Sequence, residues 1–198
     1  KQPGEALQTA RLLAKHQAFS EVAAKSLVRT LAIQVLDSAR DLDQLRRQWS
    51  ELDASDRRDA AVAARAAQRA AALGAHEEAR QWLRPLWDRL ADLSSEDRTQ
   101  VASALCDCVP GIGPDWLPKV ESAMTTYASD PVVEIAAALV MAERGLWGKA
   151  RRPLEHAGNS PVLEPRLRRR AWRELARLSR QEGQLEAASR CDQRAAEI

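Results

Sequence analysis

One short pattern that occurs three times constrains the fold of this chain more than any other feature. Each copy has a glycine, an alanine five residues after it and another alanine seven residues before it. The glycines are Gly74, Gly145 and Gly183, the preceding alanines are Ala67, Ala138 and Ala176, and the following alanines are Ala79, Ala150 and Ala188. The surrounding stretches are rich in Ala and Leu at helical spacing. The pattern predicts two antiparallel helices that pack closely through small residues and are joined by a tight turn at the glycine.

The distances between the copies indicate a repeat array. Gly74 and Gly145 are 71 residues apart, which is close to twice the period of about 34 residues that is typical of tetratricopeptide repeats. One more helical pair is therefore expected between them. Residues 97–108 and 116–127 supply its two helices, with a break rich in Pro and Gly between them.

These patterns predict an all-α fold, a tetratricopeptide-like α-solenoid of antiparallel helix pairs with a right-handed superhelical twist. Ala and Leu, both good helix formers, occupy 61 of the 198 positions, and β-branched and polar residues nowhere alternate over the length of a strand. The sequence therefore argues against a β-sandwich, a β-barrel or a parallel sheet. The predicted parts of one helical-repeat domain are an N-terminal degenerate hairpin region at 1–57 with helices at 20–38 and 41–52, repeats at 58–93, 131–164 and 165–198, and a degenerate repeat at 94–130.

The overall composition excludes several classes of function. Thirty basic and 28 acidic residues leave a net charge of +2, which argues against nucleic-acid binding, although residues 144–198 hold 13 basic and 7 acidic residues. Three cysteines without framework spacing favour a reducing compartment over a disulfide scaffold. No apolar run reaches the roughly 18–20 residues of a membrane helix. Because the first residue is Lys rather than Met, we expect a piece of a longer polypeptide.

A string in the second copy of the pattern resembles a known family. Residues 145–151, with the sequence GLWGKAR, follow an apolar helix that begins after an Asp-Pro pair at 130–131. This arrangement is similar to the tetratricopeptide region of the proteobacterial HemY family. Residues 12–15, 39–41 and 72–80 are also similar to that family, so the resemblance covers most of the chain.

The resemblance implies a soluble repeat region of a bacterial inner-membrane protein whose two N-terminal transmembrane helices are absent here. It also implies a role in haem biosynthesis through protein contacts, with enzymes of that pathway as partners. Contact with the membrane is then expected only through the absent anchor. An even number of membrane helices would place this region on the same side of the membrane as the amino terminus, and the cysteine content favours the cytoplasm. The resemblance carries over no catalytic residue and no cofactor.

The residues themselves do not point to catalysis or to a metal. The three histidines are far apart, and none has a His or Cys partner one helical turn away. Cys106 and Cys108 would lie about 200° apart on a helix, so buried thiols are expected. The six tryptophans could offer a porphyrin a flat surface, but packing is expected for them, with Trp147 and Trp172 facing neighbouring helices. We therefore expect a non-enzymatic protein without a cofactor or a metal.

Four arginines are the main candidate for a binding surface. Arg170, Arg173, Arg177 and Arg180 are spaced by three, four and three residues, which places them on one stripe of a helix. Counted back from the repeat glycine, they occupy the positions that line the concave groove of tetratricopeptide arrays. The equivalent groove positions in the preceding repeat are Val132, Ile135 and Leu139. The predicted groove therefore changes from apolar to strongly basic.

The chemistry of the stripe leaves several ligands and several functions open. Arginine forks bind carboxylates or phosphates through paired hydrogen bonds, which suits an acidic segment, a peptide carboxy terminus, a tetrapyrrole propionate or a lipid headgroup. The alternative is a solvated basic face that Glu174 and Glu182 partly neutralise. For the whole chain, the first hypothesis is a non-catalytic interaction region for haem-synthesis enzymes. The second is an adaptor for envelope assembly or regulation, and the third is an enzyme or a direct tetrapyrrole carrier.

Overall fold

The computed structural model describes residues 3–16 and 20–198, and every regular element in these ranges is helical. The helices are α1 (Pro3–Lys15), α2 (Glu21–Asp37), α3 (Leu42–Glu51), α4 (Ala54–Arg57), α5 (Ala60–Ala72), α6 (His76–Trp87), α7 (Ser95–Asp107), α8 (Leu117–Thr126), α9 (Pro131–Glu143), α10 (Trp147–Asn159), α11 (Pro165–Gln181) and α12 (Leu185–Ala196), with short 3₁₀ turns at Leu90–Asp92 and Pro114–Trp116. The prediction of an all-α protein is confirmed for these ranges. The helices expected at 20–38, 41–52, 97–108 and 116–127 are α2, α3, α7 and α8, whose ends differ by one or two residues from those expected.

The chain divides into two compact units, Lys1–Cys108 and Val109–Ile198. In the first unit, α1 packs on α2, and α5 packs on α2, α6 and α7. In the second unit, α9 packs on α8, α10 and α11, and α11 also packs on α10 and α12. The division falls inside the segment 94–130 that was expected to form one degenerate repeat, because α7 belongs to the first unit and α8 to the second.

Local sequence explains where two of the repeated helices begin. Asp59 and Asp130 precede α5 and α9, and each carboxylate accepts hydrogen bonds of 3.1–3.3 Å from backbone N–H groups two and three residues later. These bonds satisfy donors that have no partner inside the helix, and the negative charge interacts favourably with the helix dipole. Pro131 occupies the first turn of α9, where an N–H group is not needed. Like the glycines that follow them, the two caps are 71 residues apart.

The three pattern glycines lie in turns of one geometry. Gly74, Gly145 and Gly183 have φ angles of +82°, +77° and +75°, in the left-handed region that only glycine adopts without strain. Each glycine N–H donates to the carbonyl three residues before it, and the next residue's N–H donates to the carbonyl five residues before itself, at 2.8–3.1 Å. This pair of bonds is the Schellman motif that ends α-helices. The second helix of each pair begins two residues after the glycine.

The alanines of the pattern lie in the contacts between paired helices. All six are buried, namely Ala67, Ala79, Ala138, Ala150, Ala176 and Ala188. The helix pairs that contain them, α5 with α6, α9 with α10 and α11 with α12, pack against each other. A methyl side chain lets two helix backbones approach closely and loses no rotamer freedom on burial. Trp147, the first residue of α10, is half-buried.

Polar contacts between residues about 30 positions apart recur within both units. The separations of these partners range from 28 to 32 residues. In the first unit the contacts are Arg29 with Asp59, Arg46 with Glu78 and Arg65 with Asp37, and in the second unit Gly111 N–H with Glu143, Lys149 with Glu121 and Arg151 with Glu182. Residues about 30 positions apart thus lie side by side at several places in each unit.

Two glycines of the second repeat, Gly145 and Gly148, provide a matched test of the turn. Gly145→Ala forces a Cβ into the left-handed region, so we expect the free energy of unfolding to fall by about 1–2 kcal/mol. Gly148 lies in α10, where an added Cβ meets nothing within 4 Å, so Gly148→Ala is expected to leave stability unchanged or raise it by up to about 1 kcal/mol. Urea unfolding followed by circular dichroism measures both, and equal losses would contradict the assignment of the turn.

Candidate functional site

The most strongly charged element is α11, which carries seven arginines and one acidic residue, Glu174. Its apolar side chains recur at helical spacing and form one face. The buried members of that face include Leu167, Ala171, Trp172, Leu175, Ala176 and Leu178. This face packs against α9, α10 and α12. Charged side chains are excluded from it because an unpaired guanidinium is costly to bury.

Four of the arginines form one stripe on the opposite side of α11. Arg173 and Arg180 are exposed, and Arg170 and Arg177 are half-buried. We call these four residues the arginine face. At 1.5 Å per residue, the row from Arg170 to Arg180 extends over about 15 Å.

Two guanidiniums of the arginine face are held by carboxylates of the same unit. The Nε of Arg177 lies 3.1 Å from each carboxylate oxygen of Glu174, one turn earlier on α11. This hydrogen bond, with the attraction of Glu174 and Glu143, raises the pKa of Arg177 although burial acts in the opposite direction. Arg180 pairs with Asp192 of α12. Arg173 has no hydrogen bond or ion pair with any residue that the structure describes.

The sequence predicted that Glu174 and Glu182 partly neutralise the arginines. This prediction is correct for Glu174 and wrong for Glu182. Glu182 pairs with Arg151 of α10 at 2.6 Å, outside the arginine face. The acid that was missed is Asp192, because it lies on the next helix and is brought to Arg180 only by the packing of α12 on α11.

The apolar part of the predicted groove is not an open surface. Val132, Ile135 and Leu139 are only 8%, 0% and 2% exposed, so they belong to the core rather than to a groove wall. The physical reason is that α9 is apolar on all sides: every residue from Val132 to Ala142 except Glu134 is buried. A helix of this kind is stable only when it is enclosed. Of the predicted groove residues, the four arginines are exposed or half-buried, and the three apolar residues are buried.

The tryptophans are mostly engaged in packing. Trp87, Trp116 and Trp172 are buried, and Trp49 stacks on Trp82 with ring centroids 4.8 Å apart. The indole Nε1 of Trp172 donates to the carbonyl of Gly158 at 3.0 Å, and the guanidinium of Arg194 lies 4.8 Å from the Trp172 ring centroid. These contacts fix the ring of Trp172 between α10, α11 and α12.

The cysteines and histidines form no chemical centre in the described part of the chain. No group of three or more His, Cys, Asp or Glu side chains there is placed to hold a metal ion. The thiols of Cys106 and Cys108 are buried and donate to backbone carbonyls one turn earlier in the chain. Burial raises the pKa of the half-buried Cys191 thiol, which lowers its reactivity. His156 contacts Glu134 at 2.6 Å and joins α10 to α9.

A cleft in the first unit was not anticipated from the sequence. It has a volume of about 900 Å³ and lies between α1, α2, α4 and α5. Four basic and four acidic side chains line it, and the acids hold the arginines: Arg11 pairs with Asp53 and Asp56, and Arg29 with Asp59. The hydrogen bond to Asp59 is the main reason that the pKa of Arg29 is raised. Because the charges balance, the cleft favours neither anions nor cations.

No protein-family model matches the chain, and no curated protein and no solved structure is significantly similar to it. In the described ranges, none of the helices has both the length and the apolar character needed to cross a bilayer.

The contact between Gly158 and Trp172 can be tested directly. A Cβ at Gly158 would lie 2.6 Å from Cε2 and 2.7 Å from Nε1 of Trp172. We expect Gly158→Ala to lower the free energy of unfolding by about 1–3 kcal/mol through overpacking, and to shift the tryptophan emission. Gly148→Ala on the same helix is the control, because a Cβ there meets nothing within 4 Å. Equal stability of the two variants would mean that this packing is wrong.

The packing of the indoles predicts the result of a porphyrin titration. With three tryptophans buried and two stacked on each other, we expect protoporphyrin or haem to produce no saturable Soret shift with the purified protein. A saturable shift at one equivalent would contradict this prediction and favour a direct tetrapyrrole carrier.

Proposed function

We propose that this chain is a non-catalytic protein-interaction region of the tetratricopeptide type, which binds a partner through the arginine face. The observation that carries the proposal is the threefold recurrence of one helical hairpin, with a left-handed glycine at the turn and buried alanines on both sides. The polar contacts at separations of 28–32 residues support a stack of such hairpins. In this proposal the stack is a right-handed α-solenoid, and stacked hairpins commonly present surfaces for protein recognition.

Recognition, rather than catalysis, suits the chemistry of the arginine face. Guanidiniums stay protonated at all physiological pH values and cannot exchange protons as general acids or bases. Their planar forks are effective donors to carboxylates. The exposed side of α11 is therefore better suited to holding a negatively charged partner than to transforming one.

The proposed partners are enzymes of haem biosynthesis. This part of the proposal is supported by the resemblance of residues 145–151 and of the preceding Asp-Pro pair to the HemY family. In this proposal the full-length protein is anchored in the bacterial inner membrane, and the present region faces the cytoplasm. The protein would hold successive enzymes of the pathway near the membrane without acting on a tetrapyrrole itself.

Co-purification from membranes tests the proposal with the full-length protein. The variant Arg173→Glu/Arg177→Glu reverses two charges of the arginine face. The matched control, Arg152→Glu/Arg190→Glu, reverses two exposed arginines on α10 and α12 that lie outside it. We expect haem-synthesis enzymes to be enriched by the wild type and the control, and their recovery to fall at least about tenfold in the first variant, since each reversal replaces attraction by repulsion.

Each outcome of the co-purification separates the hypotheses. Equal recovery with both double variants would exclude the arginine face as the binding surface. Enrichment of envelope-assembly or regulatory proteins in place of haem-synthesis enzymes would favour the adaptor unrelated to haem. Circular dichroism of the purified variants checks that both retain the helical fold.

A further inference from the structure

The arginine face is already partly occupied by carboxylates of its own unit. Glu174 lies in the fork of Arg177, where Nε is 3.1 Å from both of its oxygens, and Asp192 reaches Arg180 from α12. Arg173 lies between Arg170 and Arg177 in the row. It is exposed and forms no hydrogen bond or ion pair within the described part of the chain. The face therefore combines an open guanidinium with two that hold replaceable anions.

We propose that Glu174 and Asp192 occupy the places of ligand carboxylates, and that the partner of the arginine face is an acidic segment of a protein chain that displaces them. This inference rests on the proposed function, because it concerns how the arginine face selects its partner. The two acids act as internal competitors, so a ligand with too few carboxylates to replace them binds weakly.

The two ion pairs of the arginine face are accessible to different degrees, and the Arg180–Asp192 pair is the easier one to displace. The side chains of Arg180 and Asp192 are 51% and 44% exposed, and those of Arg177 and Glu174 are 39% and 19% exposed. An ion pair as accessible to water as Arg180–Asp192 contributes little to stability, because solvent screens it and both side chains lose freedom. A ligand carboxylate that exchanges with Glu174 or Asp192 keeps the guanidinium paired, while water solvates the released acid.

The length of the row determines the kind of ligand. Adjacent arginines of the face are about one helical turn apart, or about 5–6 Å, and the whole row extends over about 15 Å. Alternate side chains of an extended segment are about 6.6–6.8 Å apart, and acidic residues one turn apart on a helix have the spacing of the arginines themselves. A chain segment can therefore engage the whole row, whereas a single phosphate or lipid headgroup reaches only one or two guanidiniums.

Removal of the competitors provides the test. Asp192→Asn and Glu174→Gln each remove one negative charge with little change in shape. The probe is fluorescein-labelled hexaglutamate, and its affinity is measured by fluorescence polarisation at about 0.15 M salt, where charges interact over only about 8 Å. We expect each variant to bind the probe about two- to fivefold more tightly than the wild type, the factor that corresponds to a surface ion pair. Arg173→Gln is expected to bind it more weakly.

A matched control separates local competition from net charge. Glu186→Gln removes one acid from α12, as Asp192→Asn does, but the side chain of Glu186 points about 120° away from that of Asp192 around the helix. We expect its affinity for hexaglutamate to equal that of the wild type. Melting temperature gives a second readout, because the Arg180–Asp192 pair joins two helices. We expect Asp192→Asn to lower the melting temperature slightly and to raise the affinity for hexaglutamate. If Asp192 were only structural, the variant would have a lower melting temperature and an unchanged affinity.

The outcomes distinguish this inference from the proposed function. If the wild type binds hexaglutamate and neither Asp192→Asn nor Glu174→Gln binds it more tightly, internal competition is wrong and the arginine face still stands as a site. If no form binds hexaglutamate, or if only inorganic phosphate or anionic phospholipid vesicles bind, the acidic protein segment is excluded. The interaction role is then decided by the co-purification alone.

Discussion

The close contact of paired helices at a left-handed glycine turn is the interaction on which the three recognisable hairpins depend. Alanine buries little area, so each hairpin is stabilised only if the two backbones approach closely and the turn holds them in register. The Schellman bonds at Gly74, Gly145 and Gly183 set that register by satisfying the last carbonyls of the first helix. With an aspartate cap at the start and a glycine at the end, α5 and α9 each have 13 residues.

Several arginines in the described part of the chain join helices or satisfy helix ends. Arg151 joins α10 to the end of α11 through Glu182, and Arg80 is buried and donates to the carbonyl of Cys108 at the end of α7. Arg69 donates in the same way to the carbonyl of Ala39 after α2. Planar guanidiniums suit this role because they reach across a helix end and satisfy carbonyls that have no partner inside the helix. In the arginine face, Arg180 likewise joins α11 to α12 through Asp192, whereas Arg173 has no hydrogen bond or ion pair with a described residue.

Nearly all the correct predictions concern features that depend on interactions between residues close in sequence. The turns at the three glycines, the burial of the alanines and the bounds of α2, α3, α7 and α8 follow from capping, helical period and backbone conformation within one or two helical turns. The common stripe of the arginine face also follows from helical spacing. The prediction that Val132, Ile135 and Leu139 line a groove was wrong. Their burial depends on how many helices pack around α9, which a short-range sequence pattern does not reveal.

Local patterns in the amino-acid chain were enough to specify helical hairpins, the positions at which their helices begin and end, and a row of arginines on α11. These properties depend on covalent geometry and on contacts within a few residues. Packing over longer distances was needed to establish that the chain forms two compact units, that Asp192 rather than Glu182 neutralises the arginine face, and that acids from α4 and the start of α5 hold arginines of α1 and α2 around a cleft. Each of these depends on contacts between residues far apart in the chain, whose partners are set by packing rather than by spacing.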